Sequence, residues 1–295
     1  MKFLIIGLGS MGKRRIRNLL FYRITKNNIF GYDLSLDRCR EAGKKYGIKT
    51  FTSFNKAVRI NPDVYIISTP PDQHFKYFLY AARAKKHFFV EATTTTKGYK
   101  ELFPLIKNSR FVAAPSCTFR HFLPIKKLRQ MIAKKKIGKV LAFTYHMGQY
   151  LPDWHPWEYY RKVYFAQKDT SAIKEMIPYE LNWLQWLLDT EVADIDGFRT
   201  KISSLEMDAE DIAIGTVQMK NKVIGTILID VISRVPFRTL RLLGTDGVLE
   251  WEWQSHIIRW YNPADQKWQK LKLPTGDTEK GYITVEDMYR QEIKD

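Results

Sequence analysis

The chain has 295 residues, 45% of them hydrophobic and 14% aromatic, which excludes a disordered or low-complexity protein and leaves room for two folded units of roughly 100–200 residues each. Lys and Arg outnumber Asp and Glu by 48 to 31, a net charge of +17 that suits an anionic partner: nucleic acid, an anionic membrane face or a phosphorylated small molecule. Two cysteines, Cys39 and Cys117, rule out a disulfide scaffold and, having no metal-type spacing, fit a reducing, cytoplasmic setting. No apolar run reaches the ~18 residues of a membrane span. The short apolar start, Phe3 to Leu8, runs into Gly9, Gly12 and the basic cluster Lys13-Arg14-Arg15, and reads as a first strand rather than an export signal.

The first third alternates β-type runs with helix-length amphipathic segments, the pattern of a parallel sheet covered by helices. The runs are 2–6, 29–32, 63–68, 87–90 and 110–114, with helices expected near 11–24, 36–46, 53–60, 73–85 and 97–107. Strands of such a sheet are buried on both faces, so the nearly continuous apolar reading of 63–69 is what the position demands. From about residue 119 the pattern changes. A basic amphipathic helix over 124–136 leads into a long strand over 139–151, an aromatic-rich loop over 152–166 and a helix with the stripe Leu181, Leu184, Trp186, Leu187, Leu188. Half-buried alternating strands follow at 211–219, 222–232, 237–244, 248–253 and 256–261, with turns at 220–222 and 244–247. The expected architecture is α/β: an N-terminal Rossmann doubly wound parallel sheet over 1–118, then an α+β substrate and oligomerisation domain over 119–295 with an open-faced, mostly antiparallel sheet.

Gly7-Leu8-Gly9-Ser10-Met11-Gly12 follows the first strand and opens a helix. Glycines there let the backbone turn sharply, approach a pyrophosphate without a Cβ in the way and bring the helix close to the strand, while the positive helix end faces the phosphates. A lone pattern of this kind is weak. Here Asp33 closes the second strand about 20 residues beyond Gly12, where an acid accepts ribose hydroxyls. The expectation is a dinucleotide site of Gly7, Gly9, Ser10, Met11, Gly12 and Asp33. Asp33 favours NAD by repelling a 2′-phosphate, and Arg38 and Arg40 leave NADP open. Ser68-Thr69-Pro70-Pro71-Asp72-Gln73-His74 follows a later strand and should border the cofactor through Ser68, Thr69, Pro70 and His74; its structural alternative is a proline-stiffened turn with Asp72 as a helix cap.

On these residues the chain resembles the glucose-fructose oxidoreductase / inositol dehydrogenase / rhizopine-catabolism (Gfo/Idh/MocA) oxidoreductase family over nearly its whole length. The matching segments are the glycine turn with its helix, 68–74, Val90-Glu91-Ala92, 137–162, 179–188 and 238–253, of which 137–162 is the most distinctive and resembles members linked to sugar metabolism and surface-polysaccharide synthesis. The resemblance implies a Rossmann domain with Glu91 at the cofactor, NAD(P)-dependent chemistry on a sugar or nucleotide sugar, and homodimers or homotetramers built on the C-terminal sheet.

The chain departs from that family where the chemistry lies. The Glu-Lys-Pro motif becomes Glu91-Ala92-Thr93, which removes the lysine, and the family's Asp and His positions fall on Met176 (or, with a one-residue deletion, Glu175) and Tyr179. Removing a hydride from an alcohol leaves a proton to be taken up, and a positioned base contributes about 10²–10⁴-fold. Tyr179 and Glu175 are the substitutes at i, i+4, although Pro178 suggests that the helix starts near it. The structural alternative is an aromatic wall with a solvated Lys174/Glu175 pair.

The loop after the long strand gathers Tyr150, Asp153, Trp154, His155, Trp157, Glu158, Tyr159, Tyr160, Arg161 and Lys162. Aromatic faces stack on sugars or bases, and Arg and Lys hold phosphate or carboxylate. Tyr150, Trp154, Trp157, Tyr160, Arg161 and Lys162 are therefore candidate substrate contacts, with domain-junction packing as the alternative for the two tryptophans. Asp153 and His155 form a further acid/base candidate. His87, His121, His146 and His256 lack the i, i+4 spacing of a helical metal pair, so no metal is expected, and Cys117 reads as a packing residue.

The end of the chain reads as the start of an amphipathic helix that stops at Asp295 without a cap, either a shortened terminus or a cut one. The basic residues are scattered over helix faces with no nucleic-acid module, so the partners expected are small sugar ligands, neither nucleic acid nor membrane. A second reading keeps the fold as a catalytically degenerate or non-redox nucleotide- or sugar-binding protein.

Overall fold

A computed structural model describes residues 1–154, 156, 158–279 and 282–295. Contacts divide the chain into one unit of Met1–Ser116 with Tyr289–Asp295 and a second of Cys117–Met288, so the last residues, read from sequence with the second domain, group with the first.

The first unit runs β1 (Phe3–Ile6), α1 (Ser10–Phe21), β2 (Ile29–Tyr32), α2 (Leu36–Tyr46), β3 (Lys49–Phe51), α3 (Phe54–Val58), β4 (Val64–Ile67), α4 (His74–Arg83), β5 (His87–Val90), α5 (Tyr99–Ile106) and β6 (Ala113–Pro115). The sheet is parallel in the order β3-β2-β1-β4-β5-β6. That order reverses between β1 and β4, where ligands of doubly wound sheets lie beyond the strand ends. Burial on both faces shows in the alternation: Leu4, Ile6, Tyr65, Ile67 and Phe88 join one apolar cluster, while Ile5, Ile66 and Phe89 join the other. Two expectations shift. β3 was not foreseen, because Lys49-Thr50-Phe51 is short and its first residue is exposed. β6 begins later than residue 110, because Ser109 Oγ donates to the Phe111 carbonyl (3.0 Å) and holds the preceding segment in a turn.

The second unit runs α6 (Leu123–Ala133), β7 (Val140–Gly148), α7 (Ala172–Leu188), β8 (Val192–Thr200), β9 (Ile212–Met219), β10 (Ile224–Asp230), β11 (Phe237–Gly244), β12 (Gly247–Glu252), β13 (Ile257–Asn262) and β14 (Lys267–Lys272). The closing helix is α8 (Glu286–Lys294). The strands form an eight-stranded sheet, β14-β13-β12-β11-β7-β10-β9-β8, antiparallel except for β7 beside β10. One face is apolar: Trp183 of α7 lies edge-on to Tyr145 and to Trp251. On the other face the rows are mixed, and Thr144, Arg241, Glu250 and Arg259 stand in register across four strands. Both edge strands escaped the sequence reading because β8 and β14 are exposed along nearly all their length, and Lys267, Lys270 and Lys272 give β14 the charge that edge strands carry.

The expected helix start near Pro178 is corrected: α7 begins at Ala172, capped by Ser171 Oγ accepting from Lys174 N–H (3.3 Å), and continues through Pro178. Glu175 and Tyr179 therefore do lie one helical turn apart on one face. The strand expected to reach 151 ends at Gly148, whose backbone is crowded by Ser233, Phe237 and Asp230.

Candidate active site

The turn between β1 and α1 is packed against the end of β4. Gly7 takes a left-handed φ of +90°, and a Cβ there would stand 2.5 Å from the Ser68 carbonyl oxygen. At Gly12 a Cβ would fall 1.8 Å from the Gly7 carbonyl oxygen. Both glycines are thus required by the protein itself. Gly9 is different: its φ of −71° suits any residue, and the nearest atom to an added Cβ is Arg38 Nη1 at 3.9 Å. What Gly9 keeps clear is open space at the start of α1, a helix with no side-chain cap and no acidic residue in its first turn. An uncovered positive helix end beside an unobstructed glycine is the arrangement that admits a phosphate.

Asp33 is buried at the end of β2. Its Oδ2 accepts the Leu8 N–H and its Oδ1 the Ser35 N–H, both at 2.8 Å, so the carboxylate fixes the β1 turn relative to β2 and keeps lone pairs for further donors. Arg38 stands 3.8 Å from Oδ2 and is half exposed. Arg40 lies instead beside Asp37.

In the turn after β4, Thr69 Oγ1 is buried without a hydrogen-bond partner. Ser68 Oγ donates weakly to Glu91 (3.5 Å). Pro70 precedes the single turn Pro71–Gln73 that leads into α4. His74, 1% exposed, holds the Thr69 carbonyl through Nε2 at 2.7 Å and so acts on the turn rather than on open space. Burial pushes the His74 imidazole below its ordinary range, outweighing the help that the Thr69 carbonyl gives the charged form.

Glu91 is engaged elsewhere. Arg15, fully buried, bridges Glu91 (2.7 and 3.0 Å) and Glu292 (2.8 Å), and Ser116 Oγ donates to the other Glu292 oxygen (3.1 Å). Burial alone would lower the Arg15 pKa, but the two carboxylates raise it, so the guanidinium stays charged. Arg14 stacks over Tyr289 at 4.0 Å and reaches Met11 Sδ at 3.5 Å. The sequence held only one signal for this network: two adjacent arginines on the second turn of a helix that packs on the sheet.

In the second unit, Tyr179 is half buried and lies edge-on to Phe119 at 5.7 Å, and Glu175 is buried one turn before it. Beneath them is a polar network that the sequence did not reveal. Glu180, fully buried, accepts Tyr145 O–H (2.7 Å) and Trp183 Nε1–H (2.6 Å), with Arg238 Nη2 at 3.4 Å.

The aromatic loop is only partly gathered. Trp154 packs on Phe165, Tyr150 lies under Arg234 at 3.8 Å, Tyr160 O–H accepts the Glu206 N–H (3.2 Å), and Arg161 pairs with Glu206. Asp153 closes a short 3-10 turn, and Lys162 is exposed. His155 and Trp157 lie outside the described residues. Among the described residues no three His, Cys, Asp or Glu side chains come together to hold a metal, and no helix is long and apolar enough to cross a membrane.

Two family models match the chain. The oxidoreductase family with an NAD-binding Rossmann fold covers residues 1–112, and the GFO/IDH/MocA C-terminal domain covers 125–250. The chain belongs to the Gfo/Idh/MocA oxidoreductase family. A curated relative within reach of sequence comparison is levoglucosan dehydrogenase of Pseudarthrobacter phenanthrenivorans, 27% identical over 118 residues, which are 39% of this chain and 30% of that protein's length. Solved structures share the fold of this Gfo/Idh/MocA chain at lower identity. Levoglucosan dehydrogenase in complex with NADH and levoglucosan has a TM-score of 0.82 at 15% identity, covering 99% of this chain and 87% of that one. An oxidoreductase from Agrobacterium radiobacter in complex with NAD+, L-tartaric acid and magnesium has a TM-score of 0.84 at 15% identity, covering 100% and 85%. Residues 1–112 of this family member are thus an NAD-binding Rossmann domain, and its site meets the cofactor's needs on the points above: the clear space at Gly9, the uncovered helix end, the buried Asp33 and the unpartnered Thr69 hydroxyl.

Proposed function

We propose that the chain is an NAD-dependent oxidoreductase acting on a sugar or nucleotide sugar. The observation that carries this reading is the space kept at Gly9 above the uncovered end of α1, with Asp33 anchored beside it. Bound NAD would supply the hydride acceptor. The backbone of Gly7 to Gly12, with Ser10 and Met11, holds the pyrophosphate, and Asp33 receives the ribose hydroxyls. Thr69 offers its hydroxyl to the cofactor, with Ser68 and Pro70 shaping that edge, His74 holding the Thr69 carbonyl and Glu91 acting through Arg15. Arg38 gives NADP a second route to the same place.

Tyr179 takes the proton-transfer role in this reading, with Glu175 beside it on α7. Tyr150, Trp154, Trp157, Tyr160, Arg161 and Lys162 bind the sugar, and Asp153 with His155 is the reserve acid/base pair. The protein works in the cytoplasm as a homodimer or homotetramer through the mixed face of the eight-stranded sheet. Relatives solved with levoglucosan or L-sorbose support a sugar as the substrate class.

The second reading, a sugar- or nucleotide-binding protein without turnover, is favoured by Ala92, Met176 (or Glu175) and Tyr179 standing where the resemblance expects a lysine, an aspartate and a histidine. Titration with NADH followed by incubation with keto-sugars separates the two. The first reading expects saturable NADH binding and consumption of NADH with at least one sugar. Binding without consumption across a broad panel supports the second.

A further inference from the structure

Glu180 fastens α7 to the sheet one residue after Tyr179. The residue is fully buried, and its Oε2 accepts both the Tyr145 O–H of β7 (2.7 Å) and the Trp183 Nε1–H (2.6 Å), while Oε1 faces Arg238 of β11 at 3.4 Å. β7 and β11 are neighbours in the sheet, so one carboxylate pins one turn of the helix to two adjacent strands. That turn needs a pin. Pro178 stands inside α7 and has no N–H to give to the Lys174 carbonyl, so the main-chain ladder that fixes each helical turn to the last is interrupted immediately before Tyr179.

The same groups hold the ring against which Tyr179 rests. Phe119, 2% exposed, is stacked on Trp183 (5.9 Å between centroids, 30° between planes) and is covered by the Arg238 guanidinium at 4.9 Å. Tyr179 meets Phe119 edge-on, at 5.7 Å and 82°. Both of the neighbours that hold Phe119 are thus partners of Glu180, and Tyr145, its third partner, lies edge-on to Trp183 at 5.2 Å. A buried ion pair adds little net stability over apolar residues of similar size, so what this one supplies is geometry.

We propose that Glu180 is a positioning residue: by pinning α7 and by holding Trp183 and Arg238 on the Phe119 ring, it fixes the orientation of the Tyr179 ring. This deepens the reading of Tyr179 as the proton-transfer group and rests on it. A proton-transfer group that is held loosely loses rate rather than affinity, since a displacement of about 1 Å costs on the order of 10²-fold.

The test labels the protein with 3-fluorotyrosine, assigns the Tyr179 fluorine resonance by its loss in Tyr179→Phe, and measures single-turnover rates in parallel. Two variants are compared with wild type. Glu180→Gln keeps an oxygen that accepts from Tyr145 and Trp183. Glu180→Leu combined with Arg238→Met removes the pin and strands no buried charge, an exchange that often leaves stability intact. Glu180→Gln should keep the Tyr179 resonance in place and retain most of the rate. The double variant should displace or split that resonance and slow turnover at least about tenfold, with KM for sugar and NADH affinity unchanged. Should it fail to fold, Trp183→Phe, which keeps a ring beside Phe119 and removes the Nε1–H donor, takes its place with the same expected displacement. A Tyr179 resonance identical to wild type in the folded variant would overturn the proposal. A displaced resonance with an unchanged rate would leave the positioning in place and remove Tyr179 from the reaction, so the two failures are distinct.

Discussion

In the glycine turn the residue types follow from the backbone around them: Gly7 and Gly12 have no room for a side chain, a Cβ at Gly9 would come no nearer than 3.9 Å to any described atom, and Asp33 ties the turn to β2. On α7 the polar groups follow from one another instead. Tyr145, Trp183 and Arg238 converge on Glu180 from separate elements, and Tyr179 lies edge-on to Phe119, the ring that Arg238 covers. A site dictated by main-chain geometry leaves a fixed spacing in the sequence. A site assembled by side chains from distant strands and helices leaves none, and its members can be exchanged as a set.

The largest effect expected in this comparison is at Arg15, which serves the first kind of site by the means of the second. Arg15→Met strands the carboxylates of Glu91 and Glu292 in a buried site, and should destabilise the first unit by about 3–5 kcal/mol in chemical denaturation. Loss of well under 1 kcal/mol would mean that the network is solvated.

Next come the glycines, which should separate folding from binding. Gly12→Ala should weaken NADH binding roughly 100-fold or more, equivalent to about 2.7 kcal/mol, and lower the melting temperature, because its Cβ would lie 1.8 Å from the Gly7 oxygen. Gly9→Ala should melt within about 2 °C of wild type yet weaken NADH roughly tenfold. Equal NADH affinity in Gly9→Ala and wild type would remove the ligand reading of that space.

A smaller effect lies at His74. Its native pKa is depressed, so below the ordinary 6.5 the unfolded chain takes a proton that the native chain refuses. Stability should therefore fall as pH drops from about 6.5 toward the native pKa, by up to ~1.4 kcal/mol per pH unit. His74→Asn should flatten that slope in melts between about pH 5 and 7. At the small end, Arg161→Ala removes an exposed pair with Glu206 and should leave the melting temperature unchanged, with any effect confined to the KM for sugar.

The same contrast explains what could be read ahead of the structure. The Rossmann unit was legible because burial on both faces writes continuous apolar runs, and because the glycine spacing with Asp33 is imposed by the turn itself. Strands β3, β8 and β14 were not legible, since short or exposed strands lack an apolar period. The start of α7 was misplaced because Pro178 outweighed Ser171 in a local reading, whereas the serine cap decides where the helix begins. The ion pair of Glu91 with Arg15 was not legible, because the two residues are 76 apart in sequence. Arg238 and Glu180 gave no signal at all, being single residues on β11 and α7 whose meeting depends on the tertiary fold.

The most direct measurement follows the absorbance of NADH in single turnovers of wild type and Tyr179→Phe with a panel of sugars and keto-sugars, with NADH affinity determined in parallel. The expected result is turnover in wild type, a fall of about 10²–10⁴-fold in Tyr179→Phe and unchanged NADH affinity. NADH binding with no turnover by wild type on any sugar, or equal rates for the two proteins, would contradict it.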